Sequence, residues 1–467
     1  MIAALDRELL GELSAFIAAH MGLHFPEERW PDMARGLTTA CTELGFENPQ
    51  ACVSWLMTHE LTVRQVETLA SHLTVGETYF LRDPASFEAL ERTILPPLVA
   101  SQSDAGRTIR LWSAGCCTGE EAYSLAITCA RALPDLKGWN VSILATDINP
   151  RFLAAAEAGV YSEWSFRGAP AWLRERFFSP AHHKKFAIDP EVRKLVHFSY
   201  LNLAEDVYPS LHNRTNAMNV VFCRNVLMYF TPDHQRRVAS ALQSCLVDGG
   251  YLVVNPAEAS ASLFPMFSME NIDGVILYRK TAQPPRIKVW PEIVSLSSSA
   301  AVPLPRPSFI VAPAPPARVA QAAPGPLAAD VTPISASPRV DPLELARTRA
   351  NEGRLEEALA VCQEALTRER TNPAAHFLYA TICHELGRLR EAVAAFRRTL
   401  YLDQDFILAH HALGSLYERL ARHKESRRHL AIALTLLSAR NKDDIVPESD
   451  GMTCGRLLEA VRAMTRG

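Results

Sequence analysis

Residues 111–126 read LWSAGCCTGEEAYSLA: an apolar run ends at Gly115, a short bend closes at Gly119, and helix-forming sequence begins at once with Glu120 and Glu121. Strand, glycine-flanked turn and helix in that order open an α/β unit, and glycines at such a turn let the backbone come close to a ligand. The acids set this bend apart from a phosphate cradle. They would repel a phosphate and hold a ligand that carries an ammonium or a sulfonium.

Working outward, residues 106–280 alternate apolar strands (TIRLWSA, VSILATD, AMNVVFCRN, GGYLVVN) with helical patterns (EEAYSLAITCARAL, PRFLAAAEAGV, PDHQRRVASALQSCL). That alternation predicts a mostly parallel α/β sheet. S-adenosyl-L-methionine carries both an ammonium and a sulfonium and is the expected ligand, leaving S-adenosyl-L-homocysteine as product. Asp147 ends the strand after the bend, 27 residues beyond Glu120. An acid there can accept hydrogen bonds from both hydroxyls of a ribose. The alternative role, capping the helix that starts near Pro150, suits Asn149 better.

A chain of 467 residues with 48% hydrophobic side chains has room for several cores, and a net charge of -3 excludes a general nucleic-acid binder. Residues 1–90 carry 13 Asp and Glu against five Arg and no Lys, a solvated acidic face. Helical spacing in ACVSWLMT and VRQVETLASHL predicts an all-α region over 1–95. The ten cysteines include no CxxC pair, no metal-ligand spacing is present, and free thiols in a reducing compartment are expected. The start, MIAALDRELLGELSAFIAAH, lacks the basic flank of a signal peptide, and no apolar run reaches a membrane span. A cytoplasmic location without direct membrane insertion follows as the expectation.

Residues 281–340 hold 13 prolines and little charge and read as an extended linker. Beyond it a period of 34 appears: Ala346, Ala380 and Gly414; Gly353, Gly387 and Ala421; Ala358, Ala392 and Ser426. Small residues at fixed offsets let paired helices pack closely, and the pattern resembles the tetratricopeptide repeat. Repeats are expected over 341–440 with a capping segment over 441–467, and a protein partner for their surface.

LTVGETYFLRDPASFEAL, SAGCCTGEEAYSLAI, ATDINPRFLAAAEAGVYSEWSFRG, FSYLNLAED and VFCRNVLMYF together resemble the CheR-type chemotaxis receptor glutamate O-methyltransferases, over roughly residues 20–280. The resemblance implies a Rossmann-like methyltransferase domain over 96–280, with a small antiparallel β-subdomain inserted at about 161–202. It implies methyl transfer from S-adenosylmethionine to glutamate side chains on a receptor's cytoplasmic helices, with that receptor as partner. Carried over by motif, it places Gly76, Thr78 and Arg82 near the cofactor, with Gly115 at the bend. Glu120 would meet the methionyl amino group and Asp147 the ribose. Asn202 and Leu203 would border the adenine, and Asn225 and Val226 would close the methionyl side. Arg82 and Tyr229 would position the entering carboxylate. His182, His183, Lys184 and Lys185 would give the subdomain a basic rim, and no metal is implied.

The sequence departs from the pattern at Ala122, Gly76 and NPAEAS (255–260), and ERWPDMARGLTTACTELGF (28–46) offers only Arg29 and Arg35 where relatives present a basic docking helix. Two other readings stay open: a cofactor-binding adaptor that acts through its repeats, and a methyltransferase of a small carboxylic acid.

Overall fold

The computed structural model describes residues 7–100, 107–133, 135–281 and 341–466. The proline-rich stretch, apart from Thr281, lies outside them. Four helices come first: α1 (Arg7–Met21), α2 (Trp30–Glu43), α3 (Pro49–Thr58) and α4 (Val63–Leu73). Their inward stripes, including Leu13, Ile17, Met33, Leu37, Val53 and Leu69, form one buried cluster. Cys41 of α2 and Cys52 of α3 are joined by a disulfide with Cα atoms 5.8 Å apart, against the expectation of free thiols. The turn between the two helices brings residues 11 positions apart face to face, which spacing rules for CxxC pairs do not detect. The other eight cysteines are free and buried.

Two short helices, α5 (Pro84–Ala89) and α6 (Leu95–Ala100), lead into the α/β unit: β1 (Thr108–Ala114), α7 (Glu120–Ala132), β2 (Asn140–Asp147) and α8 (Pro150–Ala158). The insertion follows: β3 (Val160–Tyr161), α9 (Ala171–Phe177), β4 (Phe178–Ala181), β5 (Lys185–Ile188) and α10 (Pro190–Arg193). Then come β6 (Val196–Tyr200), β7 (Met218–Phe222), α11 (Pro232–Cys245), β8 (Leu246–Val253), β9 (Phe267–Ile272) and β10 (Val275–Lys280). The main sheet has seven strands in the order β6-β2-β1-β7-β8-β10-β9. Its first five are parallel, and β10 and β9 close it antiparallel. β3, β5 and β4 make a separate antiparallel sheet, while β6 pairs with β2 and belongs to the main one. His182–Lys184 form the turn between β4 and β5, so the basic residues sit at a hairpin tip.

Side-chain parity sorts the sheet's two faces. Ile109, Leu111 and Ile143 join the core under α5, α6 and α7. Trp112 and Leu144 face the other way, into a core shared with Val238 and Leu242 of α11.

The C-terminal region is three helix pairs, α12 (Pro342–Asn351) with α13 (Leu355–Arg368), α14 (Pro373–Glu385) with α15 (Leu389–Leu402), α16 (Ile407–Arg419) with α17 (His423–Ser438), and then α18 (Cys454–Arg466). The small-residue registers are its packing points: Ala346, Ala380, Ala358, Ala392 and Ser426 are fully buried, and a Cβ on Gly414 would meet Leu430 Cγ at 2.6 Å. Gly353, Gly387 and Ala421 occupy the same left-handed turn, φ +79°, +74° and +55°. The third copy thus keeps the geometry with a residue less suited to it.

The repeats do not hang free on a tether. Leu211, in the loop between β6 and β7, is buried in their core. Its N–H donates to Asn351 Oδ1 at 2.8 Å, and Asn216 Nδ2 donates to the Ala350 carbonyl at 3.0 Å. Arg110 of β1 forms a buried ion pair with Glu385 of α14.

Candidate active site

The chain order reverses beside β1, which lies between β2 and β7, and a crevice opens there past the carboxyl ends of the parallel strands. A cavity of about 280 Å³ occupies it. Gly115 sits on its wall with φ +82°, and a Cβ there would collide with Val226 Cγ2. Its N–H and that of Cys116 both donate to the Thr146 carbonyl, at 2.8 and 2.9 Å, which folds the bend across the end of β2.

Asp147 follows on the same rim. One carboxylate oxygen accepts the Cys117 N–H at 2.8 Å, the other the Asn149 N–H at 2.9 Å. Burial pushes its pKa up to about 6 against the pull of those backbone donors. Each oxygen retains acceptor capacity toward the cavity. Asn149 caps α8 by accepting from Arg151 and Phe152 N–H, so Asp147 is not needed for that task.

Of the paired acids, Glu121 lines the cavity and Glu120 does not. The left-handed Gly119 (φ +93°) launches α7, and neighbouring helix positions point about 100° apart. Glu120 turns toward the subdomain, 3% exposed, and accepts from Thr118 Oγ1 at 2.6 Å. Glu121 accepts from Ser113 Oγ at 2.7 Å and faces Arg224 Nη1 at 3.5 Å. Burial raises the pKa of both acids.

Arg82, Thr78, Asn202, Leu203, Asn225, Val226 and Tyr229 all line the cavity. Gly76 does not; a Cβ on it would meet the ring of Phe152, itself a wall residue, at 2.6 Å. Arg82 Nη1 donates to the Glu77 carbonyl at 2.6 Å, which fixes the guanidinium of this half-buried wall residue. The side chain of Asn202 is committed elsewhere: it donates to the His20 carbonyl at 2.9 Å and to Glu205 at 3.0 Å, and accepts from Ala204 N–H at 3.1 Å. It ties α1 to the cavity and leaves its backbone and Leu203 to face a ligand.

The N-terminal region supplies one wall. His24 N–H donates to the Tyr229 carbonyl at 2.6 Å, and the Arg29 guanidinium stands 5.8 Å from the Tyr229 ring centroid. Two residues to which the motifs assign no role shape the site, Glu258 behind the loop after β7 and Arg224 on the cavity wall itself. Glu258 accepts the N–H groups of Asn225 (2.8 Å), Val226 (2.8 Å), Met228 (3.2 Å) and Asn255 (3.1 Å) and so fixes the loop after β7. Arg224 donates to the Arg82 carbonyl at 2.7 Å and to Asp83 at 3.3 Å. The Asn255-Pro-x-Glu258 spacing of a capping box was the available signal for Glu258.

A family model of the CheR methyltransferase, SAM binding domain, matches residues 76–275, and one of the tetratricopeptide repeat matches 350–416. The probable biofilm formation methyltransferase WspC of Pseudomonas aeruginosa is 31% identical over 373 residues, 78% of this chain and 84% of that protein. A probable chemotaxis protein methyltransferase of Rhizobium etli is 34% identical over 219 residues, 46% of this chain and 78% of that protein. The chain belongs to the CheR methyltransferase family. An uncharacterized 104.1 kDa protein of Rhodobacter capsulatus is 36% identical over 215 residues, 46% of this chain, and the chain spans 22% of its length.

As a CheR-type enzyme it is an S-adenosylmethionine-dependent methyltransferase. Its residues fit that cofactor: Asp147 offers one acceptor per oxygen, Glu121 presents a carboxylate to the cavity, and the space a Cβ on Gly115 would need is taken up by Val226. No helix among the described residues is long and apolar enough to cross a membrane.

Proposed function

We propose that the protein methylates glutamate side chains on the cytoplasmic helices of a chemoreceptor, leaving glutamate methyl esters that set the receptor's signalling state. The observation that carries this reading is the chemistry of the cavity wall: two largely buried carboxylates, Asp147 and Glu121, share it with the half-buried Arg82 and Tyr229. A cationic donor suits the first and an anionic nucleophile the second. The name of the Rhizobium relative, a probable chemotaxis protein methyltransferase, points the same way.

When bound, S-adenosylmethionine supplies an activated methyl group on sulfur. Asp147 accepts the ribose hydroxyls, and Glu121, rather than Glu120, accepts from the amino group. Leu203 and the backbone of Asn202 border the adenine, with Thr78, Gly115, Asn225 and Val226 enclosing the rest. A glutamate carboxylate with a reference pKa of about 4.3 is ionised at neutral pH, so no general base is required. The task left to the chain is alignment. Arg82 orients the carboxylate by charge-assisted hydrogen bonds and Tyr229 adds a hydroxyl donor.

Val75 and Met228 on the cavity wall are 53% and 55% exposed, an apolar rim that suits a protein helix better than a small acid. The test is incubation with methyl-labelled S-adenosylmethionine and membranes bearing candidate receptors. Label that mild base releases as methanol, and that disappears when receptor glutamates are changed to glutamine, is the expected result. Label confined to small acids would contradict it.

A further inference from the structure

At the other end of the same strands, the seam between sheet and repeats collects cations with too few anions. By parity Arg110 of β1 and Asn140 and Ser142 of β2 share the face of Trp112 and Leu144. Arg110, with its side chain 10% exposed, is matched by Glu385. Arg214 and Arg419 are not: neither forms an ion pair among the described residues. Arg214 Nη2 reaches Ser142 Oγ at 3.2 Å, and Arg419 reaches Asn140 Oδ1 at 3.4 Å and His384 Nε2 at 3.1 Å.

Two unmatched guanidiniums are therefore anchored to residues i and i+2 on one strand face, roughly 7 Å apart along it. They repel: burial first, and then the charge of Arg419, pushes the Arg214 pKa down to about 10. Burial, then Arg214, Arg419 and Arg110, hold the His384 imidazole down to about 3, and burial holds His411 down to about 4. The desolvated Arg214 guanidinium is costly to hold without a counter-charge. The Arg419 side chain is exposed, so the seam is open to a solute from outside.

We propose that this seam is a binding site for a small phosphate-bearing ligand, gripped between Arg214 of the catalytic domain and Arg419 of the repeats. Charge count favours phosphate: a dianion balances two guanidiniums, a single carboxylate only one. Planar guanidinium forks also match phosphate oxygens. A ligand held by both domains would fasten the repeats to the sheet. Nothing in the methyl-transfer reaction requires this site, which lies at the opposite ends of β1 and β2 from the cavity.

The test uses the full chain and inorganic pyrophosphate, followed by titration calorimetry at low salt. Wild-type protein should bind it, and Arg419→Gln and Arg214→Gln should each weaken binding at least tenfold. S-adenosylhomocysteine affinity should stay within about twofold in the Arg419→Gln chain, which shows that the protein is folded. No binding by wild type, equal binding by Arg419→Gln, or citrate binding as tightly as pyrophosphate would each overturn the proposal.

Discussion

β2 ends in the Asp147 carboxylate, whereas β1 and β2 both begin beside guanidiniums, and the two ends are built in different ways. At the cofactor end Asp147 takes its backbone donor from Cys117, 30 residues away, and Glu258 takes Asn225 from 33 residues away. At the repeat end Arg110 meets Glu385 across 275 residues. At the acidic end Asp147 and Glu258 are met by backbone N–H groups, while Glu121 is met by the Ser113 hydroxyl and by Arg224. At the cationic end the partner of Arg110 is a side chain from the repeats. The first is made within residues 20–260, whereas the second needs a residue of the repeats as well.

The largest effect should fall on the cationic end. Glu385→Ala leaves the Arg110 guanidinium buried and unpaired and should cost about 3–5 kcal/mol, measured by urea unfolding. Arg110→Met combined with Glu385→Leu should recover most of that, because a buried pair is often replaceable by apolar packing. A single-variant loss below about 1 kcal/mol would show that the pair is solvated, as surface pairs are.

At the acidic end, Arg82→Ala should lower kcat about 100-fold, the scale expected when a reacting group loses its alignment. S-adenosylhomocysteine affinity should change little, and steady-state turnover beside calorimetry separates the two. Unchanged turnover would remove Arg82 from the reaction.

A smaller effect should follow pH. With Asp147 held near 6 by burial, its carboxylate is increasingly protonated below that value and cannot accept from both hydroxyls. Cofactor affinity should fall about tenfold between pH 7 and pH 5, and Asp147→Asn should flatten the profile. Stability runs the other way. A pKa raised above the unfolded reference means that the contribution of this group to folding is fully present below about pH 4 and is lost as pH rises through its folded value of about 6.

The same contrast explains what could be read from the sequence. Strand and helix patterns around LWSAGCCTGEEAYSLA specify the α/β unit because each element declares its own period. The 34-residue register specified the repeats because Ala346, Ala380 and Gly414 do the same packing three times. Which of Glu120 and Glu121 faces the cavity was not legible: it depends on the launch angle at Gly119, and adjacent acids look alike in one dimension. Pairings between distant segments were hidden too. Cys41 with Cys52, and Arg110 with Glu385, become neighbours only through helix packing. The arginine inside TIRLWSA was nonetheless a signal, since a charged residue within a core strand needs a partner from somewhere.

The account rests on the inner wall of the cavity selecting a cationic methyl donor through Glu121 and Asp147. The direct measurement is calorimetric titration of S-adenosylmethionine and S-adenosylhomocysteine into wild-type, Glu121→Gln and Glu120→Gln protein. One site per chain is predicted, weakened about tenfold by Glu121→Gln, the loss of one charge-assisted hydrogen bond, and nearly unchanged by Glu120→Gln. Equal affinity in wild type and Glu121→Gln, or no uptake of either compound by folded protein, would contradict it.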